Sequence, residues 1–149
     1  MNRHSARTVS VDEIPVIDIS ALVSPTASAF EAIGARMREA AERIGFFYVS
    51  GHGIEQSLID EVDATARRFF AAPLADKLSI EPTGRHRGYI KQGEAKMHDR
   101  ARPDLKESFI WGLDVGEDDP DFLAGNRMIG PNRWPAFMPE MRPLLNRYL

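Results

Sequence analysis

The four histidines are the side chains of this chain best suited to metal or acid–base chemistry, because cysteine is absent. His52 draws attention first, since the run GFFYVSGHGI places it between two glycines directly after an apolar stretch. A metal ligand of this kind needs partners, yet the sequence contains neither a His-x-Asp nor a His-x-x-x-His pair. Flanking glycines favour a sharp chain reversal. We therefore predict that His52 belongs to a turn or a helix cap rather than to a metal site.

Three other motifs carry weak signals for a ligand. His98 and Asp99 are adjacent in a polar loop and are predicted to be solvated. The acidic run at residues 117–121 lacks the alternating ligands and the glycine of a calcium loop. The segment GHGIEQ lacks the third glycine of a dinucleotide-binding fingerprint and follows the second predicted strand. Neither a calcium site nor a nucleotide site is expected.

Positive charges gather around the segment RGYI. Arg85, Arg87 and Lys91 lie close to Tyr89 in the sequence. Cations beside an aromatic residue on a strand suit an anionic substrate. A solvent-facing edge strand, in which charged side chains are common, is the alternative. The sequence leaves both possibilities open.

Hydrophobic periodicity predicts the elements that position these residues. The segment IPVIDIS predicts a short strand, and FFYVS, which is continuously apolar, predicts a buried strand. Apolar residues spaced by three and four predict one helix over residues 29–45, which Gly45 ends, and a second over about 55–72, which Pro73 ends. Strands are predicted around residues 87–91 and over 105–115. A third helix opens at Pro139, and its apolar stripe continues to Leu149, so the chain is expected to end inside it.

Composition is that of a soluble globular protein, with 43% hydrophobic and 28% charged residues in a chain of 149. A formal net charge of −3 and scattered basic residues give no reason to expect a nucleic-acid partner. No apolar stretch approaches the roughly 20 residues that span a bilayer, and the N-terminus lacks the apolar core of a signal peptide. A cytoplasmic protein without a membrane partner is expected.

Six segments in a fixed order carry a family resemblance: IPVIDIS, ERIGFFYVSGHGI, RRFFAAPLADK, RGYI, DLKESFIWG and GPNRWP. Together they resemble the N-terminal half of isopenicillin N synthase-like, non-haem Fe(II)/2-oxoglutarate-dependent dioxygenases, in the bacterial branch of that family. The resemblance implies an α/β (α+β) segment packed against a double-stranded β-helix, or jelly roll. It divides the chain into a flexible arm at residues 1–13, the dioxygenase N-terminal region at 14–135, and the start of a helix at 136–149 that leads into the catalytic jelly roll.

The resemblance also implies a reaction. In this family a His-x-Asp pair and a distant His hold Fe(II), an Arg-x-Ser pair holds 2-oxoglutarate, and a small molecule is oxidised by O₂ with release of succinate and CO₂. Those residues lie beyond the last predicted helix in relatives. This chain is therefore expected to bind neither cofactor alone, to need the C-terminal jelly-roll half as its partner, and to be inactive by itself. A non-catalytic remnant that serves as a binding or interaction domain is the alternative.

The resemblance further implies which residues contact the substrate. In relatives, the strands that match RGYI and SFIWG form walls of the substrate cavity, and His86, Ile90 and Ile110 fall at contact positions. The predicted substrate-binding residues are Arg87, Tyr89, Ile90, Phe109 and Ile110. No catalytic residue and no metal ligand is predicted in this chain.

Overall fold

A computed structural model describes residues 10–24, 26–94 and 104–149. Two compact units divide between Ile54 and Glu55. The first contains β1 (Val16–Asp18), α1 (Ala27–Arg43) and β2 (Tyr48–Ser50). The second contains α2 (Gln56–Ala71), α3 (Leu74–Leu78), β3 (Gly88–Ile90), β4 (Ser108–Ile110), α4 (Pro120–Leu123) and α5 (Met141–Tyr148). None of the helices in these ranges is both long enough and apolar enough to cross a membrane.

The first unit is a strand–helix–strand arrangement in which β1 and β2 pair in parallel. Helix α1 begins after Thr26, whose hydroxyl accepts a hydrogen bond from the Ala29 amide. The chain leaves the helix at Gly45, where a φ of +100° gives the left-handed turn that glycine adopts without strain. The predicted helix and its glycine stop are therefore confirmed. Three buried residues join the helix to the strands: Ile17, Ile33 and Ala40.

The prediction that FFYVS forms a buried strand is right about the strand and wrong about its burial. Strand β2 forms, but Tyr48 and Val49 are 56% and 41% exposed. Among the described residues its ladder partner is β1 alone. Helix α1 packs on β1 and on the short 3₁₀ helix Ser20–Leu22, so much of β2 stays uncovered within this unit. A continuous apolar run shows that both faces of a strand are apolar, not that one chain segment covers them both.

The second unit packs helices against a two-stranded antiparallel ladder. Helix α2 ends at Ala71, just before Pro73, as predicted. The third predicted helix also forms, but it begins at Met141 and not at Pro139, and it lies against α2. Strands β3 and β4 confirm the two later predicted strands, each over three residues only. The sequence patterns do not predict helix α3. The core of the unit consists of Phe69, Ile80, Tyr89, Met138, Met141 and Leu145.

Candidate functional site

The β3–β4 ladder carries four of the five residues predicted to bind substrate, and Arg87 directly precedes it. Tyr89 lies opposite Phe109 in the register, so these two share one face of the ladder. Because side chains alternate along a strand, Ile90 and Ile110 share the other face. The predicted set is therefore divided between two faces with different surroundings.

The face with Tyr89 and Phe109 belongs to an aromatic cluster centred on Phe69. The ring of Phe69 lies 6.0 Å from that of Tyr89 and 5.1 Å from that of Phe109, between centroids. Tyr89 and Phe69 are each only 1% exposed. Edge-on and tilted contacts of this kind fix the ladder against α2. In this structure both rings pack inside the second unit. That Tyr89 and Phe109 contact a substrate stays a prediction.

A buried ion pair holds the same face, and sequence reasoning missed it. Lys77 Nζ donates to Glu107 Oε2 and to the carbonyl of Phe70, both at 2.8 Å, while the Tyr89 hydroxyl donates to the same carboxylate oxygen. The Lys77 side chain is 7% exposed and that of Glu107 is 32% exposed. The ammonium also lies 5.2 Å from the centre of the Tyr89 ring. These three side chains, called the Lys77 triad below, tie α3 to both strands.

The environment of the Lys77 triad shifts two pKa values in opposite directions. Burial, followed by the hydrogen bond and charge of Glu107, raises the pKa of Tyr89 to about 12. Hydrogen bonds from Lys77 and Tyr89 hold the pKa of Glu107 below its ordinary value, against the opposing effect of burial. At neutral pH the Glu107 carboxyl is therefore ionised and the Tyr89 phenol is neutral. The only sequence signal for the triad is alternation, since Glu107 directly precedes β4 and lies two residues before Phe109.

The opposite face of the ladder borders a cavity of about 500 Å³. Ile90 and His86 both line it. The His86 amide donates to the Arg127 carbonyl at 3.1 Å, which fixes the approach to β3. Charged residues complete the walls: Glu81, Arg85, Glu94 and Arg127. We call this space the Ile90 cavity.

A second cavity of about 370 Å³ lies beside the start of β3. We call it the arginine cavity, because its lining includes Arg85, Arg87 and Arg133, with Thr83, Glu117, Phe122, Pro131 and Asn132. Arg87 is 6% exposed, so the alternative of a solvent-facing edge strand does not describe it. That alternative does suit Lys91, whose side chain is 49% exposed and whose Nζ lies 3.4 Å from Glu81 Oε1.

His52 lies in the segment between β2 and α2, where its side chain makes a local structural contact, although no hydrogen-bonded backbone turn is formed by residues 51–55. Its Nδ1 accepts a hydrogen bond from the Ile54 amide at 3.1 Å, and Gly51 and Gly53 have φ values of +69° and +77°. The acidic run also has a structural role, because Asp119 caps α4 by accepting from the Asp121 and Phe122 amides.

The iron that the family resemblance implies finds no fitting donor set in the part of the chain that the structure describes. There, no three His, Asp or Glu side chains converge in a way that could hold a metal ion. His98 and Asp99 lie outside the described residues, as do residues 1–9 of the predicted arm.

This chain is a mixed α/β segment: a parallel strand–helix–strand unit is followed by helices and an antiparallel ladder. Its described part contains no group of side chains that could hold a metal ion. The family described as "non-haem dioxygenase in morphine synthesis N-terminal" matches residues 14–137. The chain belongs to this family, and thus to a family of dioxygenase enzymes, which are oxidoreductases.

Curated relatives from fungi match most of this chain. The 2-oxoglutarate-Fe(II) type oxidoreductase hxnY of Emericella nidulans is 34% identical over 85% of this chain and 37% of its own length. The 2-oxoglutarate-dependent dioxygenase eupC of a Phoma species is 40% identical over 83% of this chain and 41% of its own length. The chain therefore spans about two fifths of the length of these relatives.

Solved structures give the same result for the fold. A 2OG-Fe(II) oxygenase family protein from Caulobacter crescentus superposes with a TM-score of 0.66 at 26% identity, over 91% of this chain and 42% of the other. A full-length protein of Neurospora crassa, solved in complex with alpha-KG, gives 0.65 at 25% identity, over 91% and 41%. The mixed α/β arrangement is thus consistent with an N-terminal segment of jelly-roll oxygenases.

Proposed function

We propose that this chain is the N-terminal region of a non-haem Fe(II)/2-oxoglutarate-dependent oxygenase that oxidises a small molecule with O₂ and releases succinate and CO₂. The match of the dioxygenase family over residues 14–137 is the observation that carries this proposal. The names of hxnY and eupC, which specify 2-oxoglutarate, support the co-substrate. In the parent enzyme, a C-terminal jelly roll would supply the iron ligands, and this chain alone would be inactive. We further propose a cytoplasmic location.

Within that enzyme, the chain would contribute one wall of the substrate cavity. Ile90 and Ile110 lie on the face of the ladder turned away from the aromatic cluster, and Ile90 shares its cavity with His86. Apolar side chains at two wall positions suit an apolar part of a substrate. Tyr89 and Phe109 pack against Phe69 on the opposite face of the ladder and would support this wall from behind. Arg87, the fifth predicted residue, lines the arginine cavity and not the Ile90 cavity.

Assignment to a bacterial branch of the family gains no support from the relatives. The curated proteins hxnY and eupC are fungal, at 34% and 40% identity, whereas the bacterial structure from Caulobacter crescentus is 26% identical. The proposal therefore concerns the oxygenase family without a branch.

A reading-frame and turnover experiment tests the proposal. The coding sequence that follows codon 149 is expected to encode a His-x-Asp pair, a later His and an Arg-x-Ser pair. The purified 149-residue chain, given Fe(II), ascorbate, O₂ and 2-oxoglutarate, is expected to form no succinate above the level of an enzyme-free control. Absence of the iron motifs from every downstream frame would overturn the oxygenase proposal in favour of an interaction domain, and succinate formed by the chain alone would overturn its inactivity.

Substitutions in the full-length enzyme test the wall. Ile90→Trp and Ile110→Trp fill the proposed substrate space, so each should raise KM for the substrate at least tenfold while 2-oxoglutarate affinity stays within a factor of two. Val23→Trp, at a position 78% exposed in the first unit, is the matched control and should leave both unchanged. Equal effects of all three substitutions would refute the assignment of the wall.

A further inference from the structure

We propose that the arginine cavity is a binding site for an organic monocarboxylate, held between the guanidinium groups of Arg87 and Arg133. This goes beyond the proposed function, because it concerns only residues of this chain and requires neither iron nor 2-oxoglutarate.

Uncompensated positive charge is the first argument. Arg87 is 6% exposed, and an arginine cannot escape the cost of burial by losing its proton. Within residues 10–24, 26–94 and 104–149, none of the ion pairs at 4 Å or less involves Arg85, Arg87 or Arg133. A buried guanidinium without a counter-charge is strongly unfavourable. An anion in the cavity would supply that charge.

Unused hydrogen-bond donors give the second argument, and they single out two of the three arginines. Arg85 is committed to the carbonyls of Asn126, Ile129 and Phe122 and stacks on the Phe122 ring at 3.7 Å. In contrast, the Nε atoms of Arg87 and Arg133 are buried without a partner among the described residues.

Each of those two arginines makes one described hydrogen bond through a terminal nitrogen. Arg87 donates to the carbonyl of His86 at 2.9 Å, and Arg133 donates to that of Ser79 at 3.1 Å. A guanidinium has five N–H donors, so most of the capacity of both side chains remains free among the described residues. Two such planar groups match the two oxygens of a carboxylate.

The rest of the lining favours an organic ligand with a single charge. Phe122 and Pro131 are apolar, and the amide of Asn132 is already paired with the backbone of Gly112 through both its oxygen and its nitrogen. Glu117 also lines the cavity and would repel a second negative charge. A small monocarboxylate with an apolar body therefore fits this site better than phosphate or a dicarboxylate.

The carboxylate could come from a free small molecule or from Glu117 itself, and the experiment separates these sources. Benzoate is titrated into the 149-residue chain by calorimetry, with benzamide as the neutral analogue. Saturable binding of benzoate, no binding of benzamide and at least tenfold weaker binding to Arg87→Gln and Arg133→Gln are expected. Arg67→Gln, which removes an exposed arginine paired with Asp63 on α2, is the matched control and should bind like the parent chain.

Other readouts keep the proposal falsifiable if Arg87→Gln does not fold. Benzoate should shift the Nε–Hε NMR signals of Arg87 and Arg133 in the unmodified chain. Arg87→Lys should weaken benzoate binding, because lysine keeps the positive charge but lacks the planar set of N–H donors of a guanidinium. Glu117→Gln should bind benzoate at least as tightly as the parent. No saturable binding, equal binding of phosphate, or binding indifferent to both Gln variants would overturn the proposal. So would benzoate binding that appears only in Glu117→Gln, because Glu117 would then be the occupant.

Discussion

Glu107→Gln should destabilise the chain more than Lys77→Met, although both substitutions break the same ion pair. The reason is the unequal burial of the two charges. The Lys77 side chain is 7% exposed, whereas that of Glu107 is 32% exposed and can be solvated when its partner is lost. Glu107→Gln therefore leaves the buried Lys77 with the Phe70 carbonyl and the Tyr89 ring, but with no counter-charge from the part of the chain that the structure describes. Breaking a buried pair in this way costs about 3 kcal/mol of unfolding free energy.

Lys77→Met removes the buried charge itself and replaces it with an apolar side chain of similar length. The carboxylate of Glu107 then keeps the Tyr89 hydroxyl and gains water, so the expected loss is only about 1 kcal/mol. The double variant should recover most of what Glu107→Gln loses, because no buried charge remains in it.

Urea denaturation followed by circular dichroism measures these losses on the purified chain. The order of unfolding midpoints should be parent, Lys77→Met, the double variant and then Glu107→Gln, with unchanged slopes. Gln56→Ala, which removes an exposed hydrogen bond to Asp60 on α2, is the control and should change the free energy by less than about 0.5 kcal/mol. A larger loss for Lys77→Met than for Glu107→Gln would refute the reasoning from burial.

Three further predictions concern the same ladder and its core. Because folding raises the pKa of Tyr89 from 10 to about 12, the neutral phenol stabilises the fold below pH 10. Roughly 2–3 kcal/mol of unfolding free energy should therefore be lost between pH 10 and 12. Urea titrations at several pH values should show this loss in the parent chain but not in Tyr89→Phe. Gly88→Ala should cost more than about 2 kcal/mol, since φ is +112° and the added Cβ would collide with the Ile80 carbonyl, whereas Gly84→Ala, with φ of +84° and open space, should cost about 1 kcal/mol in the same assay. Phe69→Ala should lower the unfolding free energy by about 3–5 kcal/mol and Phe30→Ala, at a position 64% exposed, by less than about 1 kcal/mol, as thermal or urea melts can measure.

Local patterns predicted most of the elements because the forces that form them are local. Apolar spacing located α1, α2 and α5, and the residues that end helices are written in the sequence as Gly45 and Pro73. Burial is not a local property, however. The run FFYVS predicts β2 but not its exposure, because exposure depends on which other elements cover the strand.

The Lys77 triad shows the same limit at the candidate site. Lys77 and Glu107 are thirty residues apart and carry no pattern that pairs them, so only the folded structure brings their charges within 2.8 Å. In the same way, the pattern around RGYI indicated positive charge beside a strand but not which arginine is buried. The structure distinguishes Arg87, which is buried without a counter-charge in the described ranges, from Arg85, which donates to carbonyl groups.

The division of the ladder into two faces connects these observations. One face is fixed by the aromatic cluster and the Lys77 triad. The sequence predicts Tyr89 and Phe109 as substrate contacts, and it gives no indication that Lys77 and Glu107 form an ion pair. That arrangement leaves Ile90 and Ile110 on the other face of the paired strands. A strand pair whose other face is packed in the core suits a cavity wall, because the wall residues must hold their positions when a ligand binds or dissociates. If Glu107→Gln in the full-length enzyme raises KM for the substrate while Ile90 and Ile110 are unchanged, the two faces of the ladder act together.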